Sequence, residues 1–165
     1  MAYDVKAVKE QWEGYETPLQ WGLYPVEHDP IRRHCRMVDD ANPRFLEEGY
    51  CPPVMVDYFA STGRGPSEEP DILGLVRQIP TPGNRLINLK QELEWFLPVR
   101  VGDRLGARHK VVAVHQRGTK LDPLLVWIRT QTTIVNQQAQ VVATRTNQIL
   151  VHRTPEEVAT GVSRS

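Results

Sequence analysis

The second half of the chain constrains the fold most, because residues 85–153 alternate between apolar and polar positions over several strand-length segments. Leu89, Leu93 and Trp95 are the apolar positions of the first segment. Period-two alternation, interrupted by short turns such as residues 136–140, predicts an antiparallel meander. In the next two segments, the positions that share a face are Leu105, Ala107, His109, Val111 and Ala113, and then Val126, Ile128, Thr130, Thr132 and Ile134.

A short apolar segment ahead of the strands predicts a helix after the pair Pro52-Pro53. Met55, Tyr58 and Phe59 share one face of this helix, which is expected to be mostly buried. A sheet with one apolar face must bury that face against another element, and this helix is suited to cover it. The sequence therefore predicts an α+β fold, with a curved antiparallel sheet wrapped around a central helix.

The 165 residues are a typical length for one domain. We predict this domain at residues 24–153, after an N-terminal helical extension at 1–23 and before a flexible tail at 154–165. Residues 61–84 are rich in proline and glycine, so they are expected to form either a flap over a pocket or a poorly ordered insertion.

Another helix is predicted from the stretch "HDPIRRHCRMV". Asp29 is a suitable N-cap and Pro30 suits the first helical position. His34 lies on the apolar stripe, where a structural histidine is commoner than a catalytic one. The stripe consists of Ile31, His34, Cys35 and Val38.

The charge balance argues against two classes of partner. The chain has 20 basic and 20 acidic side chains, which favours neither nucleic acid nor an anionic membrane surface. It contains no apolar run of about 18 residues, and its charged N-terminus is unlike a signal peptide. A cytoplasmic location is therefore expected, in which Cys35 and Cys51 are free buried thiols.

The sequence gives no indication of a metal or a cofactor, and none is expected. No Cys/His spacing resembles a zinc site, and no glycine-rich loop resembles a phosphate cradle. His109 and His115 are predicted to share a strand face, but at roughly 3.3 Å per residue they lie too far apart to bind one metal. The absence of a G-x-S-x-G elbow disfavours a serine hydrolase.

The stretch "VDDANPRFLEEGY", residues 38–50, is the strongest candidate site. Asp39 and Asp40 precede the pair Asn42-Pro43. A carboxylate beside a sharp turn can serve as a general base. The same residues are also typical of a turn that ends a helix, so local chemistry leaves both interpretations open.

The order of elements resembles the hot-dog fold of the MaoC-like dehydratases and (R)-specific enoyl thioester hydratases, above all their N-terminal-type domain, which also occurs in fatty-acid-synthase-like dehydratases. The matching stretches are "DPIRRHCRMVDDANPRF", "CPPVMVDYF", "LEWFLPVRVGDRL" and "TTIVNQQAQVVATRTNQILV". Catalytic members of this family carry the motif Asp-x-Asn-Pro-x-His, whose carboxylate and imidazole hold one water. In those members, a backbone N–H near the start of the central helix holds the thioester oxygen.

Carried over residue by residue, the resemblance places Asp40 at the family aspartate and Asn42 in the turn, as possible catalytic residues. It places Phe45 at the family histidine, and a phenyl ring cannot exchange a proton. The resemblance also implies substrate-binding roles for Gly49, Cys51, Met55, Tyr58, Phe59 and Arg64.

The resemblance implies a subunit of an enoyl-CoA or enoyl-acyl-carrier-protein hydratase, or 3-hydroxyacyl thioester dehydratase, that binds the acyl chain and lacks a complete dyad. Its expected partners are the acyl-CoA or acyl-carrier-protein thioester and a dyad-bearing hot-dog subunit, in a heterodimer or heterotetramer, or else a second copy in a homodimer. Two alternatives stay open: an acyl-CoA thioesterase using Asp40, and a non-enzymatic acyl-thioester-binding assembly protein.

Overall fold

The computed structural model describes residues 3–61 and 71–162, and a five-stranded antiparallel sheet forms its centre. The spatial order β1-β3-β4-β5-β2 confirms the predicted meander over β3 to β5 and places β2 at an edge, beside β5. The strands are β1 (Gln20–Trp21), β2 (Arg85–Trp95), β3 (Leu105–Gln116), β4 (Val126–Asn136) and β5 (Val141–His152).

Helices pack on one face of this sheet, and a helix also lies near each end of the chain. A 3₁₀ turn, Pro53–Met55, runs directly into α4, and we call the two together the central helix. The α-helices are α1 (Val5–Trp12), α2 (His28–Met37), α3 (Pro43–Leu46), α4 (Val56–Ala60), α5 (Ile72–Gln78) and α6 (Pro155–Thr160). Within the described ranges, no helix is both long and apolar enough to cross a membrane.

The central helix buries a different face from the one predicted. Met55 and Phe59 are buried as expected, but Tyr58 is 63% exposed, so its predicted burial is wrong. Val56 and Ala60 are buried instead. The tighter 3₁₀ start changes the angle between successive side chains, so the face extrapolated from a uniform α-helix does not hold.

Helix α2 begins at His28, two residues before Pro30, the predicted first helical position. Its N-cap is Glu27, which makes no side-chain cap bond, so the prediction of Asp29 as N-cap is wrong. Asp29 instead pairs with Arg33 across one turn at 2.7 Å. Ile31 and Cys35 are fully buried, as the predicted stripe requires, but Val38 is 56% exposed because the helix ends at Met37.

A β-bulge in β3 changes which histidine faces inward. The register with β4 shifts between Val111 and Ala113, so Val112 is exposed and Val114 is buried. His109 lies on the inner face, whereas His115 is exposed and its ring stacks against Trp127. The prediction that the two histidines share a face is therefore wrong.

The segments at 61–84 and 154–165 contain regular structure within the described residues. Asp71 caps α5, because its Oδ1 accepts from the Gly74 N–H at 2.6 Å, and Leu75 is fully buried. Thr154 and Glu157 form a capping box at the start of α6. The flap or insertion predicted for residues 61–84 falls partly on 62–70, outside the described residues. The domain limits stay a prediction.

The interior contains two apolar clusters, one beneath the central helix and one beneath α1 and α5. The first includes Ala107, Ile134 and Ala143, and the second includes Val111 and Ile128. Between the two clusters lie five inward-facing polar side chains from three neighbouring strands, and we call this group the polar belt. It consists of His109 on β3, Thr130 and Thr132 on β4, and Arg145 and Asn147 on β5.

Candidate functional site

The Asp-x-Asn-Pro segment forms a tight turn between α2 and α3, and both motif side chains bond to its backbone. The Asp40 Oδ1 accepts from the Asn42 N–H at 2.9 Å, and the Asn42 Oδ1 accepts from the Arg44 N–H at 3.1 Å, which caps α3. Asp39 adopts the left-handed conformation with φ of 55°, which lets the chain reverse after α2. The turn therefore fixes the position of the Asp40 carboxylate.

The Asp40 carboxylate is half-buried and borders an open depression of about 410 Å³. Arg32 and Arg36 from α2 and Glu47 after α3 contribute to the same depression. These charged neighbours make the site wet and polar, suited to a carboxylate that holds a water. The geometry is compatible with a general base, and equally with a solvated turn.

Phe45 occupies the position that the resemblance assigns to the family histidine, and its ring packs against the apolar cluster beneath the central helix. Its backbone carbonyl oxygen lies 3.3 Å from the His28 Nε2. A carbonyl can only accept, so His28 donates its Nε2–H there. Local sequence patterns do not predict this contact, since His28 and Phe45 are 17 residues apart in the chain.

Of the predicted substrate-binding residues, Gly49 and Cys51 lie in the loop that leads to the central helix. Gly49 has φ of 77°, a conformation that favours glycine, and its carbonyl accepts from the Val101 N–H at 2.9 Å. The Cys51 N–H donates to the Val99 carbonyl at 2.8 Å. Burial, together with the charges of Asp103 and Cys35, raises the pKa of the Cys51 thiol to about 12, so this thiol is no nucleophile at neutral pH.

The remaining predicted binding residues divide between the core and the surface. Met55 and Phe59 belong to the apolar cluster, whereas Tyr58 is exposed beside Val54, which is 65% exposed. Arg64 lies outside the described residues. Of the three described residues, Tyr58 is therefore the most accessible to a ligand, and its binding role stays a prediction.

The start of the central helix has few backbone donors, because Pro52 and Pro53 lack an N–H. The Met55 N–H donates to the Pro52 carbonyl at 2.9 Å. Val54 therefore carries the first N–H of this helix, next to an apolar depression of about 360 Å³ lined by Met37, Val54 and Tyr58 among others.

The edge strand β2 lies against this end of the helix. The Trp95 Nε1–H donates to the Pro53 carbonyl at 3.0 Å. Ile87, Leu89, Leu93 and Trp95 are between 37% and 51% exposed, although β2 is a strand of 11 residues. An apolar edge of this length invites pairing with another chain. Among the described residues, no group of three or more His, Cys, Asp or Glu side chains could hold a metal.

Comparison with known proteins places the chain in a family. The family model described as "FAS1-like, dehydratase domain region" matches residues 11–145. No curated protein matches the sequence. A chain of the ChsH1-ChsH2 complex from Mycobacterium tuberculosis superposes with a TM-score of 0.73 at 17% identity, covering 91% of this chain and 89% of that one.

Two further solved structures have the same fold. A chain of the HadBC (3R-hydroxyacyl-ACP dehydratase) complex from Mycobacterium tuberculosis has a TM-score of 0.60 at 17% identity, covering 91% of this chain and 99% of that one. The MaoC-like dehydratase from Rhodospirillum rubrum has a TM-score of 0.57 at 20% identity, covering 87% and 94%. The chain has the hot-dog fold and belongs to the FAS1-like dehydratase-domain family.

Proposed function

We propose that this chain is the acyl-binding subunit of a heteromeric enoyl thioester hydratase or 3-hydroxyacyl thioester dehydratase. A dyad-bearing hot-dog partner supplies the acid and the base. Family membership supports the reaction class. The observation that carries the subunit role is Phe45, whose ring packs into the apolar cluster where the resemblance expects an imidazole.

The reaction itself explains why Phe45 matters. Hydration adds the hydroxyl of a water to the β-carbon and a proton to the α-carbon, so one group must take a proton from the water and one must give a proton to the α-carbon. Asp40 can hold and polarise a water, but Phe45 cannot return a proton. The Nε2–H of His28 is directed to the Phe45 carbonyl, so this imidazole is no ready substitute.

The start of the central helix is the proposed anchor for the thioester. The Val54 N–H is the donor we assign to the thioester oxygen, whose negative charge grows as water adds. The acyl chain then lies along the exposed apolar surface that contains Met37 and Tyr58. Burial of that surface by ligand or partner contributes roughly 25 cal/mol per Å² of apolar area.

The partner is proposed to pair along β2. Its exposed apolar residues and its position at the sheet edge suit an antiparallel strand from a second hot-dog domain. Two of the structural relatives are described as complexes, ChsH1-ChsH2 and HadBC. In the absence of the true partner, a homodimer through the same edge is the expected substitute.

The test is reconstitution. The purified chain, a dyad-bearing hot-dog protein from the same genome, and their equimolar mixture are each assayed with crotonyl-CoA and a longer enoyl-CoA. We expect little or no hydration by this chain alone and (R)-specific hydration by the mixture. Strong hydration by this chain alone would overturn the subunit role. Release of free CoA would identify a thioesterase, and binding without turnover under every pairing would identify a non-enzymatic acyl binder.

A further inference from the structure

The two edges of the sheet differ, because the chain covers one of them itself. The Gly14 N–H donates to the Val111 carbonyl at 2.9 Å, on the free side of β3. The Thr17 N–H donates to the His109 carbonyl at 2.8 Å, and β1 continues this cover. At the opposite edge, no strand within the described ranges pairs with the free side of β2. Pairing with another chain is therefore directed to β2.

The middle of β2 has the same residue classes on both sides of Gln91, except that the charges are opposite. Lys90 and Glu92 flank Gln91, and Leu89 and Leu93 lie one position further out. A strand that pairs antiparallel with a second copy of itself meets its own sequence in reverse order. In a pair centred on Gln91, Lys90 therefore lies opposite Glu92 of the second copy, and Leu89 lies opposite Leu93 of the second copy.

The register with β5 shows which of these side chains share a face. Gln91 lies opposite Asn147 of the polar belt and donates to its side chain at 3.2 Å, so Gln91 faces inward. Its two charged neighbours, Lys90 and Glu92, therefore face outward. Their side chains are 63% and 50% exposed, and their charged groups lie 2.6 Å apart. Two copies would bring four such charges together on the outer face.

The charges distinguish between the possible registers. Directly opposed residues of an antiparallel pair point to the same face, so a symmetric pair is centred on one residue. A centre at Lys90 places two ammonium groups opposite each other, and a centre at Glu92 does the same with two carboxylates. Like charges in direct opposition are destabilising. A centre at Gln91 alternates the four charges, so this register is favoured over its two neighbours.

The apolar and the charged side chains have different effects on such a pair. Leu89 and Leu93 are 51% and 37% exposed, and burial of their apolar surface favours association. An exposed ion pair adds little affinity of its own. Opposed like charges are nevertheless costly, so Lys90 and Glu92 act mainly on the choice of register and of partner.

We infer that β2 is a self-complementary edge, along which a second copy of this chain pairs antiparallel in the register centred on Gln91. Lys90 and Glu92 of the two copies form an alternating quartet of charges on the outer face. The second copy occupies the edge that the dyad-bearing partner needs, so self-pairing and assembly of the active pair exclude each other. This last consequence rests on the proposed function, whereas the self-pairing does not.

The first experiment reverses the charges and measures dimerisation of the full chain by analytical ultracentrifugation. Lys90→Glu makes all four charges negative and Glu92→Lys makes them all positive, so each variant should dimerise about tenfold more weakly. An equimolar mixture of the two variants should regain the affinity of the unmodified chain, and so should the double variant. Glu94→Lys is the matched control. Glu94 is exposed on the same strand but lies opposite the uncharged Asn88 of the second copy, so its reversal should change the affinity less than twofold.

The second experiment locates the centre of the pair without reversing any charge. In the inferred register residue 91 lies opposite its own copy, with Cβ atoms about 5 Å apart, which a disulfide can bridge. Gln91→Cys treated with the thiol oxidant diamide should give a covalent dimer on a non-reducing gel, whereas Lys90→Cys and Glu92→Cys should not. The native thiols of Cys35 and Cys51 are buried, so the unmodified chain is the blank. This measurement also stands if a charge-reversed variant fails to fold.

The outcomes separate the self-pairing from the proposed function. A covalent dimer at position 90 or 92 instead of 91, or equal weakening by Glu94→Lys and Glu92→Lys, overturns the register. A monomeric unmodified chain overturns the self-pairing and leaves the heteromeric function intact. Self-pairing beside an inactive mixture supports the register and contradicts the proposed function. Adding the dyad-bearing partner should lower the Gln91→Cys cross-linking as hydration appears, and cross-linking that persists in a fully active mixture overturns the mutual exclusion.

Discussion

The two faces of the central helix meet opposite surroundings. The inner face buries Met55 and Phe59 against the sheet and connects to the polar belt through the Asp57–Arg145 ion pair. The outer face exposes Val54 and Tyr58 to solvent beside α2. The inner face is therefore committed to the fold and to a polar cavity, whereas the outer face is available to a thioester or a partner chain.

The largest expected effect tests whether the outer side of this chain takes part in catalysis or only binds the substrate and the partner. In the reconstituted pair, replacing the partner's dyad histidine with alanine should lower the hydration rate by about 10²–10⁴-fold, the usual contribution of a general acid or base. Asp40→Asn in this chain should leave the rate nearly unchanged. The loss of enoyl thioester absorbance measures both. A large loss from Asp40→Asn would show that this chain provides catalysis itself.

The next effect compares the inner and outer faces of the central helix by their contributions to the free energy of unfolding. Met55→Ala removes a buried side chain, so the free energy of unfolding should fall by about 2–5 kcal/mol. Tyr58→Ala, three positions along on the exposed face, should change it by about 0.5 kcal/mol or less. Urea denaturation followed by circular dichroism measures both variants. Similar losses from the two would mean that Tyr58 is buried in solution, by a second chain for instance.

Some of this architecture could be predicted from the sequence, and some could not. Strand alternation is a local signal, and it placed Thr130 and Thr132 correctly on the inner side. The bulge at Val111–Ala113 is not visible in that alternation, so His115 was assigned to the wrong face. Helix α5 was missed because nearby prolines and glycines suggested a loop.

The polar belt could not be recognised from one strand at a time. His109, Thr132 and Arg145 meet only through the register of three strands, and a sequence pattern does not fix that register. The candidate turn is the opposite case. Asp40 and Asn42 are close in sequence, so their bond was within reach of local reasoning, whereas the nearby His28 comes from another helix.

A smaller effect is expected from restoring the missing imidazole on the outer side. In the isolated chain, Phe45→His should produce measurable hydration of crotonyl-CoA, at most about 10²-fold above the unmodified chain. Phe45→Leu is the matched control, since it alters the packing without adding a proton carrier. Equal activity of the two variants would mean that position 45 does not face the water held at Asp40.

The smallest effect concerns the belt and the pH dependence of stability. Desolvation and the Arg145 charge lower the pKa of His109 in the folded state below its ordinary value of 6.5. As pH falls through 6.5 towards that lower pKa, the unfolded chain binds a proton at His109 that the folded chain does not yet bind. His109 therefore lowers the free energy of unfolding in this window.

The substitution His109→Gln, which can keep a bond to Thr132, should reduce this acid sensitivity of the free energy of unfolding. His115→Gln removes an exposed imidazole from the outer face of the same strand and should retain it. Thermal melts between pH 5 and 7.5 measure the difference, in the range where histidines titrate. An unchanged pH dependence in His109→Gln would mean that water reaches the belt freely, so that desolvation does not lower the pKa of His109.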